Sequence, residues 1–268
     1  MMFRKKVWLG IGAAAFTIAA GPGIDPAWDL SPKITLVPVA RASGSEAAGQ
    51  GRGSAIVTDE GIAAQLLMMK GHLAAGLELA DAGHTDQAVP LLKRPLEELW
   101  TPIHEVLEER DERIEYDIEI AIAGAEEAAE SGDAAAMETA AAGAIAAIDR
   151  ALETLVPAAR RRTPVFAAAV ARIVLEEAVT EYREAVAEGR VVEVADYQAA
   201  YGLVTVAVDL MKSLLDDAEN VGAARSLAAL LDELKAALPS ASPPKDPFAP
   251  GRFRGLVSRI ELELGALV

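Results

Sequence analysis

From Thr58 onward, apolar residues recur every three or four positions, and Gly, Pro and Asn punctuate the runs, a pattern that predicts about eight helices and no strand. In the first helix Ile62, Leu66, Met69, Leu73, Leu77 and Ala80 share one face, and Gly83 closes it in a left-handed conformation. Thr85 is the predicted N-cap of the next helix. Pro90, Pro95 and Pro102 kink or divide that helix before it reaches about Arg110. Helices near 112–130 and 134–156 meet at the turn Ser131-Gly132-Asp133. Thr163-Pro164 supplies a cap and first turn for a fifth helix, which runs to about Glu188 and ends at Gly189. A sixth spans about Val192 to Ala218, with Tyr197, Tyr201, Val204, Val208, Met211 and Leu215 on one stripe, and a seventh spans about 222–238. A strap with five prolines (Pro239, Pro243, Pro244, Pro247, Pro250) then leads to a last amphipathic helix from about Phe253.

The fold class that follows is all-α, a bundle of antiparallel helical hairpins. The turns at Gly83, Gly132 and Gly189 resemble one another, but their spacing is unequal, which argues against a strict repeat array. A short irregular α-solenoid is the alternative. The helical domain is expected over 58–268, with room for a division into hairpin-bundle halves 58–157 and 163–268.

The N-terminus has a different character. Arg4-Lys5-Lys6 precedes the uncharged apolar run Val7 to Ala20, too short to span a bilayer and ordered as a secretory signal is. A small-residue exit at Ala40-Arg41-Ala42 places cleavage after Ala42, so 1–42 is the expected signal peptide and 43–57 a flexible N-terminal segment. The mature chain is then periplasmic or secreted, and meets a membrane only through the signal segment.

Composition narrows the function classes. The chain is 52% hydrophobic but only 4% aromatic, with a net charge of -16, and its first forty-two residues are net basic, so the remainder is more acidic still. Such a surface repels phosphate backbones, which excludes nucleic acid. There is no cysteine, hence no disulfide, thiolate chemistry or cysteine-ligated metal. Gly-rich phosphate loops, nucleophile elbows and dinucleotide fingerprints are missing as well. No cofactor and no enzymatic activity are expected. The first expectation is an exported helical protein that binds a partner protein or small ligand; the alternative is a periplasmic protein that binds or delivers a divalent metal.

The candidate metal ligands are few. His104 and Glu108 lie four apart on one helical face, with Glu97, Glu98, Glu105 and Glu109 nearby. His72 sits beside the stripe of the first helix with Met68 one turn before it, a soft pair suited to copper; the plainer reading is a hydrogen-bonded histidine at the core edge. His84 falls in a turn. Glu176-Glu177 and Glu261/Glu263 are acid pairs that nothing marks as catalytic. Arg172 with Glu176, and Arg259 with Glu263, have intrahelical ion-pair spacing. Tyr182, Tyr197 and Tyr201 flank one hairpin turn, where core packing with hydroxyls at the rim is expected.

The segments Met69-Lys70-Gly71-His72-Leu73, Pro95-Leu96-Glu97-Glu98, Glu193 to Gly202 and Ser258-Arg259-Ile260-Glu261-Leu262 together resemble an uncharacterised family of exported helical proteins from proteobacteria. That resemblance implies export and a helical fold, and histidines where this chain has Leu91 and Arg94. In architecture alone, the chain is also similar to the imelysin group, exported two-bundle proteins linked to iron uptake. Their Gly-x-His-x-x-Glu motif is absent, because Gly71-His72 has the wrong order and Ala75 stands where an acid should follow.

Overall fold

The computed structural model describes residues 58–215 and 220–268; the expected signal peptide 1–42 and flexible segment 43–57 lie outside the described residues. Helix α1 spans Asp59–Asp81. Thr58 Oγ1 accepts from Gly61 N at 3.0 Å, and Asp59 and Glu60 sit where the helix dipole favours negative charge. Gly83, at φ 79°, ends α1, with its own N–H donating to Ala80 and the His84 N–H donating to Leu79.

Helix α2 spans Thr85–Arg94, so Thr85 is its first residue rather than its cap. His84 takes the cap position, its carbonyl accepting from Gln87 and Ala88 and its side chain capping nothing. Pro95 cannot donate backward, and the chain widens into a π turn, Pro95–Leu99. The segment expected to continue to Arg110 therefore breaks here, and α3 runs His104–Ser131. Within α3 the backbone of Asp111 is extended (φ -165°, ψ 97°), and its Oδ1 accepts from Arg113 N and Ile114 N. Asp111 thus caps the second part of α3, which matches the helix expected near 112.

Gly132, left-handed at φ 71°, and Asp133, whose Oδ1 accepts from Ala136 N, turn the chain into α4, Ala134–Leu155. A single turn not foreseen, α5 (Ala158–Arg161), precedes α6, Pro164–Ala185, where Thr163 caps and Pro164 opens as expected. The expectation of no strand is corrected after α6: β1 (Val186–Ala187) pairs antiparallel with β2 (Arg190–Val191). The loop residues Glu188 and Gly189 both have positive φ, 53° and 72°, the conformation that joins tight hairpins. Helix α7 spans Val194–Lys212, shorter than the expected reach to Ala218. Helix α8 (Val221–Ala237) is capped by Asn220, whose Oδ1 accepts from Ala223 N, and α9 (Pro250–Leu267) follows the proline strap.

The result is an all-α bundle whose core falls into two clusters. One gathers Ile62, Leu66, Met69, Leu73, Leu91, Leu107, Ile122, Met137 and Ile148 from α1 to α4. The other gathers Val174, Tyr182, Tyr197, Leu203, Leu227, Phe253 and Ile260 from α6 to α9, together with Ala63, Ala64 and Met68 of α1. Helix α1 therefore serves both, and meets α7 where the backbones of Gly71 and Gly202 touch. Among the described residues, no helix is long and apolar enough to cross a membrane.

Candidate functional site

A partly buried cluster of charge joins α2 and the π turn to α6 and α7. Arg94 ends α2 and sends its guanidinium into this junction. Its Nε donates to Glu98 at 2.9 Å, its Nη1 to Glu181 of α6 at 3.1 Å, and its Nη2 to Asp196 of α7 at 3.1 Å. The side chains of Arg94, Glu181 and Asp196 are 17%, 12% and 14% exposed, whereas Glu98 is largely in solvent. One positive charge thus faces three acids. Burial, reinforced by Asp196, Glu177 and Glu98 and opposed by Arg94, pushes the Glu181 carboxyl up to about 7. Two further polar contacts reach α7: Gln198 donates to Gln87 at 2.7 Å, and the Tyr201 hydroxyl to the Glu78 carboxylate at 2.7 Å.

His72, on α1, is 2% exposed. Its Nδ1 lies 2.8 Å from the Met68 carbonyl, which only an N–H can satisfy, so the proton sits on Nδ1. Nε2 is left with a lone pair and no partner. Burial, and after it the Arg94 charge, lowers the imidazole pKa to about 4. His72 is therefore neutral at pH 7, with a fixed tautomer and a buried, unpartnered lone pair on Nε2. The atom of Met68 that His72 engages is its carbonyl, and the Met68 side chain packs in the α6–α9 core cluster.

The burial of a neutral imidazole has a sign that can be checked. Its contribution to stability is intact above the unfolded-state pKa near 6.5 and is lost as pH falls toward about 4. Between pH 7.5 and pH 5, that loss amounts to about 2 kcal/mol. His72→Leu, in chelator-treated protein, is expected to gain this much on the parent over the same interval, seen as roughly 4–8 °C in relative Tm. A difference between the two proteins that does not change with pH would show that His72 is not held neutral.

His104 and Glu108 occupy the first turns of α3, His104 half-buried and Glu108 exposed. The Trp100 and His104 rings lie 6.2 Å apart. Glu108, Glu112 and Glu119 act on Glu115, whose carboxyl burial first and then these neighbours push up, while His104 pulls it down. These groups form an acidic ridge along one face of α3. Among the described residues, no three His, Cys, Asp or Glu side chains converge closely enough to hold a metal ion.

The other residues singled out by sequence have structural partners. Arg172 donates to the Glu261 carbonyl at 3.2 Å, Glu176 pairs with Arg254, and Arg259 pairs with Glu233, so the two expected intrahelical pairs give way to links between helices. Tyr182 is buried with its hydroxyl donating to the Phe248 carbonyl of the strap at 2.7 Å, and its ring lies 4.5 Å from Phe253 and 6.1 Å from Tyr197. The Tyr197 hydroxyl is buried without a partner. Sequence reasoning missed Arg94, Glu181 and Asp196 as a group, since they come from three separate helices.

The family whose sequence model matches is the iron permease-associated 4-helix bundle domain, over residues 157–268. That stretch contains α6 to α9, the four long helices that enclose the second core cluster. This match overturns the likeness to an uncharacterised exported family and the analogy to imelysin-like bundles, which no finding supports. No curated protein and no solved structure matches the chain.

Proposed function

We propose that this protein serves metal transport outside the cytoplasm, as a non-enzymatic helical accessory that binds a divalent metal, iron foremost, or passes it to a permease. The observation that carries this reading is the match of residues 157–268 to the iron permease-associated domain. The chemistry of the chain agrees with it. Its acidic surface attracts cations, His72 is a neutral imidazole with a free lone pair, and His104 with Glu108 heads an acidic ridge on α3. The signal-like order of charge and apolar residues in 1–42 supports the periplasmic or secreted side of this reading, where such an accessory would meet incoming metal. A docking partner belongs to the same reading in narrower form, with the permease as that partner.

The test is a thermal melt of the purified, metal-free protein with ferrous iron under anaerobic conditions, and in parallel with copper, zinc and calcium. A metal present at a hundredfold its Kd is expected to add about 2.7 kcal/mol, or roughly 5–11 °C in Tm. Loss of the shift in His72→Ala or in His104→Ala identifies which site holds the metal. No shift with any of the four metals would overturn the metal-binding reading.

A further inference from the structure

Helix α9 buries Phe253, Leu256, Val257, Ile260 and Leu264. On its other side stand Gly251, Gly255, Ser258 and Leu262, whose four-three-four spacing puts them on one helical face. Leu262 is 75% exposed, more than any other large hydrophobic side chain among the described residues. It stands between two grooves, one running toward Ala229 and Leu230 of α8, the other toward Arg172 of α6. Gly255 adds to the anomaly. Glycine inside a helix is weaker than alanine and is suited to places where something must come close to the backbone. Nothing from the rest of the described chain lies within 4 Å of where a Cβ on Gly251 or Gly255 would stand, so that close approach is not made within the chain.

Charge along α9 says what fits there. Arg252-Phe253-Arg254 near its start is mirrored by Glu261-Leu262-Glu263 near its end, about a midpoint between Val257 and Ser258. Reversing the helix about that midpoint exchanges Arg254 with Glu261 and Arg252 with Glu263. Two copies of α9 are therefore complementary when antiparallel and repel one another when parallel. Within the chain the two arginines have loose partners: Arg254 is 3.7 Å from Glu176, both more than half exposed, and Arg252 lies over the Phe248 ring. The chain as a whole carries a net charge of -16, so most ways of bringing two copies together oppose acid to acid. Helix α9, with Arg252, Arg254 and Arg259 against Glu261 and Glu263, escapes that repulsion.

We propose that two copies of this chain associate through α9, packed antiparallel about a two-fold axis that passes between Val257 and Ser258. In that register Leu262 of each copy enters the gap between Gly251 and Gly255 of the other, a side-chain knob in a hole left by two missing side chains. Residues seven apart share a side of the helix, so Arg254 and Glu261 both lie on the side of α6, where Arg254 reaches Glu176. Arg252 lies with Arg259 on the side of α8, where Arg259 reaches Glu233, and Glu263 borders the same groove. The two-fold axis sets like edges together, so Arg254 meets Glu261 of the second copy along one edge and Arg252 meets its Glu263 along the other. With 18 residues α9 is about 27 Å long. A contact of that length lies at the small end of specific interfaces, which makes the dimer weak and concentration-dependent. The pairing involves no metal and stands apart from the transport reading.

Sedimentation equilibrium of the full, metal-free chain at physiological salt tests this. The parent is expected to pass from monomer to dimer with a Kd on the order of 10 µM. Gly255→Leu fills the gap that Leu262 of the second copy enters, and is expected to raise the Kd at least tenfold. Its Tm at low concentration should equal or exceed the parent's, because the single chain has room for the added side chain. Arg254→Glu and Glu261→Arg, each alone, set like charges against one another and are expected to raise the Kd at least tenfold as well. Mixed in equal amounts, these two variants are expected to form a dimer within threefold of the parent's Kd, since every contact across the axis then joins an arginine to a glutamate. A parent that stays monomeric up to about 100 µM overturns the proposal, whatever other partner α9 then meets. So does a dimer indifferent to Gly255→Leu, or a mixture of the two charge variants that fails to associate.

Discussion

Gly202→Ala is expected to lower stability by about 3 kcal/mol and Tm by roughly 6–12 °C, the steepest loss from a single methyl group anywhere in the bundle. A Cβ at Gly202 would overlap the carbonyl oxygen of Gly71 and stand 2.7 Å from its carbonyl carbon and 3.2 Å from the Ala75 Cβ. The obstacle is backbone, so no rotamer change relieves it. Helices α1 and α7 would have to part. Parting them loosens Met69 and Leu73 on one side and Leu203 and Val204 on the other, each now buried. Gly71→Ala meets Gly202 backbone at 3.0 Å and is expected to follow in milder form. Gly143, inside α4 with nothing within 4 Å of its would-be Cβ, is the control: Gly143→Ala is expected to leave stability equal or raise it by up to about 1 kcal/mol. Urea melts followed by circular dichroism decide the matter. A Gly202→Ala protein as stable as the parent would mean that the α1–α7 crossing is not as close as described.

That crossing shows where the sequence was informative and where it was silent. The stripe from Ile62 to Ala80 announces α1, because a helix that buries one face must repeat apolar residues along it. The same residues say nothing about Gly71, which lies off the stripe and matters only because Gly202 of α7 arrives opposite. Capping behaved likewise. Thr163-Pro164 and Asp133 acted as local chemistry predicts, since a cap's partner is three residues away. Thr85 lost its place to His84 through the closing turn at Gly83, and the Glu188-Gly189 hairpin was hidden because a non-glycine residue there takes positive φ. The site was less legible still. His72 stood out as a histidine beside an apolar stripe, but the charge that acts on it belongs to Arg94, whose own partners Glu181 and Asp196 lie 87 and 102 residues further along the chain. For the same reason Arg172 and Arg259 looked like partners of acids on their own helices and proved to link α6 and α8 to α9.

Arg94→Met is the second large effect, and its pH dependence separates it from a mere packing defect. Removing the cation leaves the partly buried Glu181 and Asp196 without their counter-charge; breaking a fully buried pair this way costs about 3–5 kcal/mol, and partial exposure reduces the loss here to about 2–3 kcal/mol. The loss is expected in full near pH 8, in metal-free protein. Glu181 already holds its proton up to about 7 in the folded chain although Arg94 opposes this, so without Arg94 its carboxyl rises further. An acid whose folded pKa is raised weakens the folded state above its unfolded pKa, and the penalty disappears as pH falls through the folded value. The gap in stability between parent and Arg94→Met should therefore narrow from pH 8 to pH 5, when protonated Glu181 no longer needs a cation. A double variant, Arg94→Met with Glu181→Leu, removes charge and counter-charge together and is expected to recover much of the loss at pH 8. A gap that keeps its size across this interval, with no recovery in the double variant, would place the cost in the lost packing of the arginine stem. A narrowing gap would locate it in the acids that Arg94 holds in place.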